Sequence, residues 1–490
     1  MIGFGEWLPD QPAHNNPGLV KAKNTVPGAI GYKPIKSLTA ITSVFHGASE
    51  DPNIAGIFYG DNSGTVTVFA GNTGSSAKLK KLTSNGTWSA VGTNLTFSVS
   101  RGERFKAVQF GSKMVVASGH SQALVDMDLD GANAATISDS GTPSAREIAV
   151  VRDFVVCGNL SGATSSVQWS ALNDHDEWTA GTDQSDSQAI ADSGDVTGLV
   201  GGEIGVVFLE RGISLMQYVG APLYFTFDKV SQIGCKYANS IGAISTSQIY
   251  FISENGFYVW DGQAARQIGA ERVDRFFRND FDADKSNQIT CAVDPLAQTV
   301  TWSYASKAAT ADNDSLIIYN YAVNRWSHAR IEHDAIGVTR SVGQDIDALS
   351  STYGNDMDAM GISFDSPSLK GGVFLLCASK NGMIHTFDGE PLECEIETGE
   401  VEFARGSQTL VRGVSPYFET ADANPQLTVS VGSRSRTVDE TTFTSGTAIN
   451  SDNFVPLRSG GRFHRLNFKL AGNWDAAVGY DLDAAAMGKR

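Results

Sequence analysis

The chain has 490 residues, 41% of them hydrophobic, which is enough apolar matter for an ample core in two or three domains and excludes a disordered or fibrous polymer. Its 51 glycines against only 19% charged residues indicate tight turns between short strands rather than long solvated helices. A net charge of −17 works against a protein that grips phosphate backbones, because such binding relies on clustered Lys and Arg.

The N-terminus carries neither the basic start nor the apolar stretch of a signal peptide, and nothing later reaches the apolar length of a membrane helix. The expectation is a chain made and folded in a cytoplasm. Residues 1–40 hold Pro9, Pro12, Pro17, Pro27 and Pro34 among Gly and Asn, and read as an extended arm that packs on another domain or subunit.

From 41 to 391 the chain repeats. Seven segments read as strands that follow a turn signal: Thr65–Phe69, Gln122–Asp126, Ser166–Ser170, Ile213–Tyr218, Phe257–Trp260, Ser315–Tyr319 and Met383–Phe387. Their spacing is that of propeller blades with some long loops. Three are framed by hairpin signals: Asn62-Ser63-Gly64, Asn255-Gly256 and Asn381-Gly382 precede them, supplying the positive φ angles that two-residue turns require. A second pattern places a strand, an Asn/Asp-rich turn and a tryptophan, ending at Trp178 and at Trp326. Such a tryptophan is expected at the start of an outer strand, packed between blades. The fold expected is all-β: a β-propeller of six to eight blades, about seven, with an additional antiparallel sheet or sandwich as a platform domain over 392–490. That last region alternates apolar and polar residues in Leu427–Val431 and Phe463–Leu470.

Asp126, Asp128 and Asp130, followed by Gly131, match the first half of a calcium loop, but Ile137 stands where a complete EF-hand loop needs Glu. Calcium at these three aspartates is the one metal this sequence suggests; a solvated hairpin turn is the plainer reading. Asp280, Asp282 and Asp284 repeat the alternation without the glycine. Glu393, Glu395 and Glu397 line one face of a strand, toward solvent or a lumen. His175, between Asp174 and Asp176, reads as an exposed loop histidine, and His328 and His333 lie in strand and loop without a zinc pattern. The cysteines Cys157, Cys235, Cys291, Cys377 and Cys394 are odd in number and far apart, hence reduced and mostly buried. No nucleophile elbow, phosphate loop or dinucleotide motif occurs, so no catalytic residue and no organic cofactor is assigned.

The opening Phe4-Gly5-Glu6-Trp7-Leu8-Pro9-Asp10, with Asn16-Pro17-Gly18-Leu19, Asn24-Thr25-Val26-Pro27 and Gly31-Tyr32, resembles the start of the tail nozzle proteins of short-tailed bacteriophages (podoviruses), also called tail tubular protein B. Trp169–Asp174 through Trp178 resembles a blade motif of that family, and Ser459–Arg465 with Gly472-Asn473-Trp474 resembles its closing sheet. The resemblance implies a structural virion protein and not an enzyme. It implies a hexameric channel below the adaptor (head-to-tail connector) ring, with tail fibres or tailspikes as neighbours, through which DNA passes without specific binding. The alternative from another class is a propeller that binds glycans or degrades polysaccharide in its central depression.

Overall fold

One local pattern recurs seven times among the described residues: four antiparallel strands in a meander, each sheet leaning on the next. The structure is a computed structural model and describes residues 1–14, 16–48, 50–83, 86–92, 95–310, 312–341, 374–420 and 426–488. The innermost strands are Ile54–Asn62, Lys106–Phe110, Ala145–Val151, Val196–Val200, Gly242–Ser245, Thr290–Asp294 and Ala335–Arg340, in blades 1 to 7. The chain is a seven-bladed β-propeller.

Every segment named from the turn pattern lies in a different blade. Six fall in the third strand; Thr65–Phe69 falls in the second, because a turn followed by apolar residues marks a meander without saying which of its strands is meant. Two of the hairpins are tight in the expected way, with Ser63 and Gly64 at φ 53° and 95° and Asn381 and Gly382 at 52° and 73°.

Alternation of side chains turns each strand into part of two interfaces. In blade 2, Met114 and Val116 pack toward blade 1 with Phe105, while Val115 and Ala117 pack toward blade 3 with Ile148 and Val155. The same arrangement continues round the ring, with Trp169 and Phe225 between blades 3 and 4, and Phe208 and Phe251 between blades 4 and 5. Each fully buried Val, Phe or Met contributes about 1.5–3 kcal/mol. Trp326 opens the fourth strand of blade 6 and lies buried 4.5 Å from Tyr319, as its position predicts. Trp178 departs from that expectation: it is buried between blades 2 and 3, but from a loop, the outer strand starting only at Asp186.

The ring closes with a strand from the arm. Thr39–Ala40 pairs antiparallel with Met383–Thr386 and completes blade 7, so residues that the composition assigns to an extended arm outside the propeller are a blade strand. The rest of the arm is also structured, and it binds the platform into the propeller.

The platform is a sandwich of two sheets. One orders Thr25–Pro27, Tyr32–Pro34, Trp474–Gly488, Gln408–Thr420 and Val455–Gly461, with Ile2–Gly3 also on Trp474–Gly488. The other orders Leu19–Lys23, Cys394–Thr398, Phe463–Ala471 and Gln426–Arg434. Sequence periodicity predicts this sheet as separate from the propeller; instead Leu19–Lys23 lies between Cys394–Thr398 and the outer strand Arg325–His333 of blade 6, making one continuous ten-stranded sheet. The cause is the arm strand, which offers a pairing edge to each side. Phe4, Trp7, Leu19 and Ala22 then share one buried cluster with Trp302 and Trp326 of the propeller and Val429, Leu466 and Phe468 of the platform.

Candidate functional site

The seven inner strands enclose a cavity of about 770 Å³ along the propeller axis. Its wall is aliphatic, with Ile57, Val108, Val150, Val200, Val293 and Val338 each from a different blade. Tyr59 stands further along the wall, while the charged lining, Arg104, Lys106 and Glu147, gathers near the starts of those strands, at one mouth. There the Lys106 ammonium lies 2.6 and 2.7 Å from the two oxygens of Glu147. Burial pushes the Glu147 carboxyl up, and the ammonium pulls it back.

Arg104, just before the inner strand of blade 2, reaches across this mouth. Its two terminal nitrogens are each 3.5 Å from a carbonyl oxygen, that of Ile54 in blade 1 and that of Gln288 before blade 6, the outer limit of a hydrogen bond. Its buried Nε has no partner. Burial lowers this guanidinium to about 10. Asp334, preceding the inner strand of blade 7, is raised to about 7 by burial and by Asp312, and its buried Oδ2 is also without a partner.

The three aspartates suggested for calcium do not converge. Asp126 and Asp128 project to the same side of their strand, but the Lys113 ammonium sits between them at 3.1 and 3.0 Å. Asp130 turns away and accepts the Ala132 N–H at 2.8 Å. A calcium ion takes six to eight oxygens, whereas this pair already faces a cation. The atoms that do converge belong to Asp126, His175 and Asp176, within 4.8 Å of one another. His175 is not an exposed loop residue: its side chain is 15% exposed, with Nε2 3.2 Å from Asp126 of the neighbouring blade and 3.3 Å from Asp176. The Asp126 contact raises its pKa despite burial.

The other acidic runs divide among structural tasks. Asp280 accepts from the Tyr304 hydroxyl at 2.8 Å and pairs with Arg330 at 2.6 Å, while Asp282 accepts the Asp284 N–H at 3.2 Å. Glu393 is exposed, but Glu395 and Glu397 turn into the junction, Glu395 pairing with Lys21 at 3.0 Å and Glu397 with Arg465. All five cysteines are free, and Cys291 alone is partly exposed. Burial pushes Cys235 to about 11 and Cys377 and Cys394 to about 12.

No family model and no curated protein sequence matches the chain. Its likenesses are structural only. It is similar to the WD40 domain of Neurospora crassa Pan2, at 9% identity and a TM-score of 0.41 over 71% of this chain and 94% of that one. It is similar also to the extracellular domain of the putative hybrid two component system BT4673 from B. thetaiotaomicron, at 10% identity and a TM-score of 0.41 over 80% of this chain and 45% of that one. For apo AztD from Citrobacter koseri the identity is 11% and the TM-score 0.31, over 57% of this chain and 72% of that one. Such values say nothing of function, and the blade count rests on the strand order itself.

The residues that carry the family resemblance at the start of the chain form the joint between propeller and platform. Trp7 stacks on His328 of blade 6 at 5.1 Å, and Phe4 meets Phe468 of the platform edge-on at 5.2 Å. Asp10 accepts the N–H groups of Arg275 and Phe276 at 2.8 and 2.7 Å, capping the helix Asp274–Asp280 between blades 5 and 6. Sequence reasoning singled out neither Arg104 nor the Lys106–Glu147 pair. Arg104 and Lys106 lie two residues apart, but Glu147 comes from the next blade, and the three form no recognised local motif.

Proposed function

We propose that this chain is a non-enzymatic virion protein, the tail nozzle of a short-tailed bacteriophage. In this reading it forms a hexameric channel below the adaptor ring, carries tail fibres or tailspikes, and holds and releases the genome. The observation that carries the reading is where the resembling residues lie: Phe4, Trp7 and Asp10 are buried in the joint that ties arm, propeller and platform into one body. A nozzle must transmit force between adaptor and fibres, and a continuous ten-stranded sheet suits that role. Six copies would carry about −100, a field that repels phosphate and lets DNA slide.

Glycan binding or cleavage finds no such support. The axial cavity is walled by aliphatic side chains, whereas sugar hydroxyls need polar partners when they leave water.

Native mass spectrometry and electron microscopy of the purified chain, alone and with adaptor rings, test the reading. A sixfold tube, formed alone or on the ring, is expected. A monomer that never joins an adaptor ring and instead binds or cleaves polysaccharide would overturn it.

A further inference from the structure

The axial cavity differs from a water-filled gap in how its polarity is distributed. Its volume of about 770 Å³ lies within the range of small-molecule sites, about 300–1,000 Å³. Its length is mostly aliphatic, with Tyr59 as an exception, and its charges are confined to one mouth. Lys106 and Glu147 neutralise each other there in a two-oxygen contact. Arg104 is different. Its guanidinium spans from blade 1 to blade 6 across the opening, holds two carbonyls only at 3.5 Å, and keeps a buried Nε–H unused. Among the described residues no carboxylate lies within ion-pair distance of it. A buried donor left unmatched costs about 1–3 kcal/mol, more when charged, so the site favours an acceptor that completes the fork.

We propose that the propeller axis is a binding site for an apolar monocarboxylate, its carboxylate held by Arg104 at the mouth and its hydrocarbon chain along the aliphatic wall. Charge complementarity selects the head group, since Arg104 is the one cation at the mouth with no hydrogen-bonded carboxylate among the described residues, Asp334 attracting it only from beyond ion-pair distance. The aliphatic wall selects the tail, because burying methylenes there removes apolar surface from water on both sides. Asp334 nearby, raised to about 7, adds less negative charge at neutral pH than an ordinary carboxylate. The inference is separate from the nozzle reading, and neither stands or falls with the other.

Titration calorimetry of the full chain with dodecanoate is the test. One dodecanoate per chain is expected, with dodecan-1-ol, which keeps the chain and lacks the charge, binding about tenfold to a hundredfold more weakly. Arg104→Met should weaken dodecanoate by a similar factor while leaving dodecan-1-ol unchanged. Ala243→Phe, which projects a ring into the cavity from an exposed position on its wall, should weaken both. Because Arg104 joins two blades, circular dichroism checks that its variant is folded; the dodecan-1-ol and Ala243→Phe arms stand without it. No dodecanoate binding, equal binding of acid and alcohol, or unchanged binding in folded Ala243→Phe would each overturn the proposal.

Discussion

His328 lies in the fourth strand of blade 6 with its ring stacked on Trp7 and edge-on to Phe276, in the joint that the arm makes with the propeller. Burial lowers its pKa to about 3, and lowers that of His333, which shares a 2.6 Å hydrogen bond with Ser303, to about 4. Both rings are therefore neutral in the folded chain. Between the ordinary histidine value of 6.5 and these values an unfolded chain takes up protons that the folded one refuses, so stability is full above 6.5 and falls as pH drops through that window. The midpoint of thermal unfolding should fall by several degrees from pH 7 to pH 4.5, and His328→Phe should flatten that slope. Asp334 has the opposite sign. Its carboxyl is raised to about 7, so its cost grows from the ordinary carboxylate value upward and is complete above 7. Asp334→Asn should raise the melting temperature at pH 8 and leave it nearly unchanged at pH 3.5. At the cavity mouth, Lys106→Met should destabilise by about 3–5 kcal/mol in urea unfolding, because Glu147, 4% exposed, keeps a buried charge and loses its cation.

Two short strands decide the topology. Thr39–Ala40 closes the ring through blade 7, and the Ile41 N–H that follows donates to the Ile384 carbonyl at 2.9 Å. Ile41→Pro removes that donor and should cost about 3 kcal/mol, with faster amide exchange confined to blades 7 and 1 as the seam opens. Leu19–Lys23 pairs on both sides, antiparallel with Cys394–Thr398 and parallel with blade 6 at Lys23 and His328. The third strands of most blades were legible in the sequence because a turn signal precedes them, an Asn-Gly pair in blades 5 and 7 and a lone glycine such as Gly162 or Gly212 in blades 3 and 4. The inner strands were not. Val196–Val200 and Gly242–Ser245 are short and contain glycine where a neighbouring blade approaches; a Cβ on Gly198 would lie 2.1 Å from the Ile241 side chain. Nothing in their own residues marks them as lining an axis.

For the molecule as a whole, a charge of −17 predicts that DNA is not retained by the purified chain in an electrophoretic shift at low salt. Binding under those conditions would contradict passage of DNA without adhesion. Composition, turn chemistry and the period of the repeat determined that this is an all-β chain with about seven blades and a further sheet after them, since each of these is read over a few residues. Tertiary structure decided that the arm is part of both domains, that Asp126 faces Lys113 and His175 rather than Asp130, and that Arg104 stands across the axial mouth. The arm's place depends on pairing between residues hundreds of positions apart, such as Lys23 with His328 or Ala40 with His385, and the side-chain contacts on how neighbouring blades meet. Local propensity does not specify such pairs; they form only when the ring closes and the burial of Trp7, Phe4 and Leu19 offsets the entropy of bringing the ends together.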